Sequence, residues 1–128
     1  MIIYTGGTIG MVRDKTTGAL YPVNGTELYE QIPVLRKLDY TIEFYSFDPL
    51  LDSSDMSPKH WIDLVTVIEK NYEKFDGFVV LHGSDTMAYT ASALSFMLEN
   101  LNKPVILTGS QLPLCMIRSD GRENLVTA

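Results

Sequence analysis

Residues 78–107 contain the pattern that most constrains the fold of this chain. A short apolar run at 78–81 is followed by a polar turn, a long helical stretch and a second apolar run at 105–107. The helical stretch is marked by apolar residues at three- and four-residue spacing: Met87, Ala91, Leu94, Leu98 and Leu101. Two short buried strands that are joined through a helix run parallel in one sheet. This order of elements therefore predicts an α/β fold.

The rest of the chain repeats the alternation of strands and helices. The further predicted elements are strands at 2–4 and 40–47, and helices at 26–32, from Pro58 and from Gly121. The helix from Pro58 has one apolar face, formed by Trp61, Leu64, Val65, Ile68 and Tyr72. We expect a three-layer α/β/α domain with a mostly parallel sheet. Residues 11–25 are rich in turn-forming side chains and are predicted to form a mobile surface loop.

The composition is that of one globular domain that does not bind nucleic acid. With 128 residues, 45% of them hydrophobic, the chain can bury a core. Sixteen acidic residues against ten basic ones give a formal charge of −6, which leaves no basic surface for a phosphate backbone. No apolar stretch approaches membrane-spanning length, and the start of the chain does not resemble a signal peptide. We therefore expect no membrane partner and a cytoplasmic location.

The single cysteine, Cys115, is expected to have a structural role. It has no second cysteine to pair with, and it lacks the CxxC or histidine-rich neighbours that a zinc site needs. We expect Cys115 to be a small buried hydrophobic residue.

Four predicted strands are each followed by a loop that carries small polar side chains. These are Thr5 and Thr8 in the first loop, Ser53, Ser54 and Asp55 in the second, Ser84 and Asp85 in the third, and Ser110 and Gln111 in the fourth. In such sheets ligands bind beyond the carboxyl ends of the strands, so these groups are predicted to converge on one small ligand. The simpler interpretation, that each residue only caps a helix or closes a turn, stays open for any one of them.

The glycine-rich segment after the first strand does not match a nucleotide-binding motif. If G-x-G-x-x-G is placed on positions 5–10, Thr5 replaces the first glycine, and no helix follows. There is also no G-K-[ST] of a P-loop and no G-x-S-x-G nucleophile elbow. A hydroxyl nucleophile would need a base. His82 is the obvious base by residue type, but a hydrogen-bonded structural histidine explains its place at a strand end at least as well.

Four segments together resemble bacterial L-asparaginases of the cytoplasmic type I. They are TGGTIG at 5–10, DSSDM at 52–56, HGSDTM at 82–87 with the helix after it, and KPVILTGSQLPL at 103–114 followed by RSDGRENL. The first and third motifs are highly specific as a pair. The resemblance implies that residues 1–128 are part of an asparaginase N-terminal domain, with the C-terminal domain absent from this sequence.

The resemblance also implies a reaction and a set of roles. The reaction is hydrolysis of the side-chain amide of L-asparagine through an acyl-enzyme, with no metal and no organic cofactor. Thr8 would be the nucleophile, and Ser84 and Asp85 would stand where the family has its Thr-Asp pair. Asp85 would bind the α-ammonium of the substrate and Ser53 its α-carboxylate, while main-chain N–H groups near Thr8 and Ser84 would hold the oxyanion. The residues implied in substrate binding are Gly7, Ser53, Ser54, Ser84 and Asp85.

The chain departs from the family pattern at three points. Ser84 replaces the more usual threonine, which keeps the hydroxyl but loses a methyl that stiffens the rotamer. The family's assisting tyrosine falls on Leu20 when the chain is aligned on Pro22, so Tyr21 is a shifted candidate for that catalytic role. The family's catalytic lysine lies in a segment after residue 128. We therefore expect residues 1–128 alone to be inactive.

Two alternatives to an asparaginase remain open at this point. One is a non-catalytic module that binds a small amino acid, and the other is an amidotransferase subunit of the same superfamily. A degenerate binding pocket would have no reason to retain Thr8 together with Ser53, Ser84 and Asp85, which favours the enzyme. The resemblance further implies a homo-oligomer, a homotetramer in this family, when the protein is full length.

Overall fold

The first apolar run of the chain forms an inner strand of a parallel sheet. The computed structural model describes residues 1–128, apart from the side chain of residue 36. The strands are β1 (Ile2–Gly6), β2 (Met11–Arg13), β3 (Leu20–Pro22), β4 (Phe44–Leu51), β5 (Phe78–Leu81) and β6 (Val105–Thr108). The α-helices are α1 (Gly25–Glu30), α2 (Pro58–Asn71), α3 (Met87–Met97) and α4 (Gly121–Thr127). The order of the main sheet is β4-β1-β5-β6, and its strands all run parallel, so their carboxyl ends meet at one edge.

Side chains of β1 alternate between two apolar cores. Ile2 and Tyr4 belong to a core on one face of the sheet, and Ile3 belongs to a core on the other. Helices α1 and α4 cover the first face, whereas α2 and α3 cover the second. Their buried contacts are Leu28 and Leu125 in the first core, and Leu64, Ile68 and Leu94 in the second. The predicted three-layer α/β/α architecture is therefore confirmed.

The helix predicted from Pro58 is confirmed, whereas α3 is shorter than its apolar spacing predicts. Ser57 precedes α2, and its N–H donates to His60 Nδ1 at 3.2 Å. Helix α3 ends at Met97, because the next residue, Leu98, takes an extended backbone conformation with φ −98° and ψ 93°. The extension of this helix to Leu101 is therefore wrong. In the part of the chain that the structure describes, no helix has the length and apolar character needed to cross a bilayer.

Residues 11–25 contain a β-hairpin where the sequence predicts an irregular loop. Strands β2 and β3 pair antiparallel, with Val12 opposite Tyr21. The Asp14 carboxylate organises the turn because it accepts the N–H groups of Thr16 and Thr17 at 2.8 and 2.6 Å. Strands of three residues are too short to show the alternation of apolar and polar residues that marks a strand. The turn-forming residues between them therefore favoured the prediction of a loop.

Two further predictions are corrected. The strand predicted at 40–47 lies at Phe44–Leu51 and runs through Pro49. The sheet tolerates this proline because β4 is an edge strand, where a missing N–H need not remove a ladder bond. Cys115 is exposed rather than buried. Its neighbour Leu114 takes the core position, with 1% of its surface exposed and its N–H bonded to the Ile9 carbonyl, so the cysteine projects outward.

A buried chain of hydrogen bonds connects α2 and α3 to the end of β5. The Trp61 indole N–H donates to the Thr90 hydroxyl at 3.0 Å, and that hydroxyl lies 2.9 Å from His82 Nε2. His82 Nδ1 lies 2.6 Å from the Gly83 carbonyl. A carbonyl can only accept, so Nδ1 carries the proton and Nε2 of the neutral ring accepts from Thr90. Desolvation by burial lowers the pKa of His82, although the Gly83 carbonyl opposes this effect.

We predict that the free energy of unfolding falls on mild acidification because His82 is buried in its neutral form. In the unfolded chain a histidine binds its proton near pH 6.5, whereas the folded protein holds the pKa of His82 below that value. The unfolded state therefore binds more protons below about pH 6.5, and stability decreases as the pH falls from there towards the folded-state pKa. Urea unfolding at pH 7.5, 6.5 and 5.5 measures this loss.

The His82→Asn variant should flatten the pH dependence, whereas His60→Gln, at the only other histidine, should leave it in place. An equal slope for His82→Asn and the parent protein would contradict the assignment.

Candidate functional site

A cavity of about 320 Å³ opens beyond the carboxyl ends of β1, β4 and β5. It is lined by Gly6, Gly7, Thr8, Met11, Pro22, Leu50, Leu51, Asp52, Ser53, Gly83, Ser84 and Asp85. The first three of the four predicted loops thus meet at one cavity, as parallel strands require. The fourth loop does not line it. There the Ser110 hydroxyl donates to the Leu112 carbonyl, and the Gln111 N–H donates to Asp120.

The first loop reaches the cavity through a backbone conformation that needs glycine. Gly7 has φ 92°, and a Cβ on it would lie 2.6 Å from the Gly83 Cα. Both the positive φ and this close approach exclude a larger residue. The chain then forms a single 3-10 turn, Thr8–Gly10, which leaves Thr8 half-buried at the cavity wall. By contrast, Thr5 lies in the strand, with its hydroxyl bonded to the Leu81 carbonyl at 2.9 Å.

The second loop presents Ser53 and turns Ser54 away. Asp52 precedes the 3-10 turn Ser53–Asp55 and accepts the Ser54 N–H and hydroxyl at 2.9 and 2.8 Å. These two bonds lower the pKa of Asp52, the N–H bond having the larger effect. Ser53 is buried, and its carbonyl accepts the Thr86 hydroxyl at 2.7 Å. The second loop is thereby fastened to the third.

The third loop brings a carboxylate to the Ser53 hydroxyl. The Ser53 Oγ donates to Asp85 Oδ2 at 3.3 Å. This approach depends on Gly83, because a Cβ there would lie 2.4 Å from the Ser53 Oγ. Ser84 begins the 3-10 turn Ser84–Thr86 and is exposed beside Asp85. An acid and a hydroxyl are thus adjacent, a pairing suited to a ligand that carries both an ammonium and a carboxylate group.

The charge of the cavity wall is negative. Asp52 and Asp85 are its ionisable lining residues, and no lysine, arginine or histidine lies among the lining residues. His82 is fully buried behind the third loop, with both ring nitrogens engaged. Among the side chains that the structure describes, no group of three or more His, Cys, Asp or Glu is placed to hold a metal ion. The wall therefore offers three hydroxyls, two carboxylates and main-chain N–H groups.

Tyr21 and Ser54 are not brought to Thr8. Tyr21 is 47% exposed and lines a neighbouring cavity of about 780 Å³ together with Val12 and Glu27. Its neighbour Pro22 lines the Thr8 cavity instead, since adjacent strand residues face opposite sides. Ser54 is not among the lining residues, and its hydroxyl donates to Asp52. The roles predicted for Tyr21 in catalysis and for Ser54 in substrate binding stay predictions, and the positions of these residues outside the Thr8 cavity do not support them.

The apolar part of the wall was not foreseen from the sequence. It consists of Met11, Pro22, Leu50 and Leu51. The two leucines follow Pro49, which favours an early end of the strand in a sequence-based prediction. Leu51 pairs with Gly6 across a shift in register between β1 and β4, which places it beside the first loop. The sequence signal for this part of the wall was the apolar pair Leu50-Leu51 directly before Asp52.

Comparison with known proteins places this geometry in a family. The family model described as "Asparaginase, N-terminal" matches residues 1–128. L-asparaginase 1 of Escherichia coli strain K12 is 53% identical over 133 residues, which cover 99% of this chain and 38% of that protein. The crystal structure of L-asparaginase I from Vibrio cholerae superposes with a TM-score of 0.85 at 48% identity, covering 98% of this chain and 38% of that one.

A third relative has a different name. A glutamyl-tRNA(Gln) amidotransferase subunit of Pyrococcus horikoshii is 44% identical over 127 residues, covering 98% of this chain and 28% of that protein. The chain thus spans less than two fifths of the length of each of these three relatives. Because the family model matches all 128 residues of the chain, the chain belongs to the asparaginase family and corresponds to its N-terminal region.

Proposed function

We propose that this protein hydrolyses the side-chain amide of L-asparagine to aspartate and ammonia, with Thr8 as the nucleophile. The observation that carries the proposal is the 3.3 Å contact between Ser53 and Asp85 in a cavity that Thr8 and Ser84 also line. Relatives named L-asparaginase, at 53% identity over residues shared with this chain, support the same reaction. Residues 1–128 would supply the nucleophile and the substrate contacts.

Recognition of asparagine would depend on the two polar groups that are already paired. The Asp85 carboxylate would accept the α-ammonium of the substrate in a charge-assisted hydrogen bond. The Ser53 hydroxyl, which donates to Asp85 in this structure, would turn to donate to the α-carboxylate. A molecule without the α-ammonium would leave Asp85 desolvated and unpaired, so this contact would reject it.

The chemistry would proceed by two additions to the amide carbon. The Thr8 hydroxyl oxygen attacks that carbon, and its proton passes to a base. The negative oxygen that results is held by main-chain N–H groups of the first and third loops. The base then gives its proton to the amide nitrogen, the carbon–nitrogen bond breaks and ammonia leaves. Water adds to the ester carbon in the second step and releases aspartate and the Thr8 hydroxyl. The base would be the lysine that the family resemblance implies beyond residue 128, and Ser84 would relay or orient the proton.

Two other functions differ from this one in measurable ways. A non-catalytic amino-acid-binding module would bind aspartate but release no ammonia. The relative named as an amidotransferase subunit favours a second amide-cleaving function, in which the ammonia is delivered to another acceptor. A cytoplasmic location, a homo-oligomeric assembly and contributions of Tyr21 and Ser54 remain predictions.

Replacement of the nucleophile should abolish turnover. In the full-length product of the gene that encodes these residues, we expect Thr8→Ala to lower kcat for L-asparagine by at least about 10³-fold, because no acyl-enzyme can form. Ammonia release measures this, with Thr26→Ala at the exposed start of α1 as the matched control. Retained activity in Thr8→Ala would assign the nucleophile elsewhere, and a parent that binds aspartate without releasing ammonia would favour the binding module.

The role of Asp85 predicts a change in selectivity. We expect Asp85→Asn to lower kcat/KM for L-asparagine by about 10- to 100-fold, as expected for the loss of a hydrogen bond between charged groups. Succinamic acid, which lacks the α-ammonium, should be a poor substrate of the parent and should be affected far less by the substitution. Asp63→Asn on the exposed side of α2 is the control. An equal loss on both substrates would show that Asp85 does not bind the ammonium group.

The division of the site predicts the behaviour of the isolated segment. We expect a polypeptide of residues 1–128 alone to release no measurable ammonia from L-asparagine, since the cavity wall offers no lysine to activate Thr8. The full-length gene product, assayed beside it, should be active. Turnover by residues 1–128 alone would require a base within this segment.

A further inference from the structure

We propose that His82, held in place by Thr90 and Trp61, is a positioning residue that directs the Ser84 N–H into the cavity as an oxyanion donor. The inference rests on the proposed amide hydrolysis and deepens it. His82 is fully buried and does not line the cavity, so it would act through the Gly83–Ser84 peptide rather than on the substrate.

The geometry of one peptide unit carries the argument. The His82 Nδ1–H donates to the Gly83 carbonyl at 2.6 Å, which holds that carbonyl on the buried side of the loop. The Gly83–Ser84 peptide is trans, so its carbonyl and its N–H point in opposite directions. The N–H of Ser84 is therefore directed away from His82, towards the side of the loop on which Gly83 and Ser84 line the cavity.

This peptide needs an external support. Gly83 has no side chain to restrict the backbone, and a Cβ is excluded there by the Ser53 hydroxyl. Ser84 is the first residue of its 3-10 turn, where an N–H has no acceptor within the turn. The hydrogen bond that the Gly83 carbonyl accepts from His82 prevents rotation of the peptide. It also polarises the peptide, which makes the Ser84 N–H a stronger donor.

The residues behind His82 hold its ring in one orientation. The Thr90 hydroxyl donates to Nε2 at 2.9 Å, and the Trp61 indole N–H occupies the Thr90 oxygen at 3.0 Å. Rotation of the ring would break the bonds at both nitrogens at once. Thr90 and the His82 ring have none of their surface exposed, so bulk water is not in contact with them to replace these bonds. The orientation of the peptide is thus determined by α2 and α3, two elements that do not line the cavity.

An oxyanion donor acts on charge that exists only in the transition state. Its misplacement should therefore lower kcat and leave ground-state binding of asparagine nearly unchanged. A purely structural histidine would instead change stability and the fraction of folded protein, without a selective effect on kcat per folded molecule. The two roles are separable by kinetics.

Two substitutions at His82 divide its hydrogen bonds between them. In His82→Asn the amide N–H₂ can take the place of Nδ1–H and still donate to Gly83, whereas in His82→Gln the amide reaches Thr90 and the bond to Gly83 is lost. In the full-length gene product we expect His82→Gln to lower kcat for L-asparagine by about 10- to 100-fold with KM changed less than about 3-fold. His82→Asn should keep kcat within about 3-fold of the parent. L-aspartate binding should be unaffected in both.

The matched control is Ser92→Ala, whose hydroxyl bonds within exposed turns of α3, at the Ala88 carbonyl. Equal kcat values for the two His82 variants, or losses that appear only in KM, would overturn the proposal.

A spectroscopic measurement tests the inference without catalysis and keeps it distinct from the proposed function. Nitrogen-15 NMR of the parent should show the proton of His82 on Nδ1, and His82→Gln should shift the Ser84 amide resonance more than His82→Asn does. A proton on Nε2, or an unmoved Ser84 amide, would overturn the hydrogen-bond chain even in an active enzyme. An inactive parent with the Nδ1 proton in place would instead reject the asparaginase reaction and, with it, the oxyanion role.

Discussion

The parallel pairing of β1 on both of its sides is the constraint on which the site depends. β1 is bonded to β4 and β5 at once, with Ile2 opposite both Phe44 and Val79. Because the three strands run in the same direction in this register, their carboxyl ends stop at one level, and the loops that follow are forced together. The two apolar cores fix this register, since a slip of one residue would exchange Ile3 with Tyr4 between the faces.

Once the loops are level, glycine determines how closely they approach. Gly7 contacts the backbone of Gly83, and Gly83 in turn leaves space for the Ser53 hydroxyl. A methyl group at Gly7 would lie 2.6 Å from the Gly83 Cα, and one at Gly83 would lie 2.4 Å from the Ser53 Oγ, so either would force the loops apart. The contact of Ser53 with Asp85 is therefore a consequence of missing side chains as much as of the polar groups themselves. The glycines and the hydroxyls act as one unit.

The sequence predicted the site residues whose place follows from their position at the end of a strand. The places of Thr8, Ser53 and Asp85 follow from their motifs at strand ends, and all three lie at the cavity. The position of Tyr21 was not predictable, because the direction of its side chain depends on a three-residue hairpin that has no detectable period. The prediction for Ser54 lacks support for a different reason. Its hydroxyl donates to the Asp52 carboxylate, and the pattern of residue types does not reveal which acceptor this hydroxyl binds. The exposure of Cys115 was also not predictable, because the residue pattern does not reveal that its neighbour Leu114 takes the buried position.

The hairpin formed by β2 and β3 is a partition between two cavities. Met11 and Pro22 line the 320 Å³ cavity that contains Thr8, whereas Val12 and Tyr21, the residues next to them in the chain, line the 780 Å³ cavity against α1. The partition is a single layer, because β2 and β3 lie side by side as a two-stranded sheet. Because the two faces of one hairpin form walls of both cavities, a displacement of the hairpin would change the shape of both.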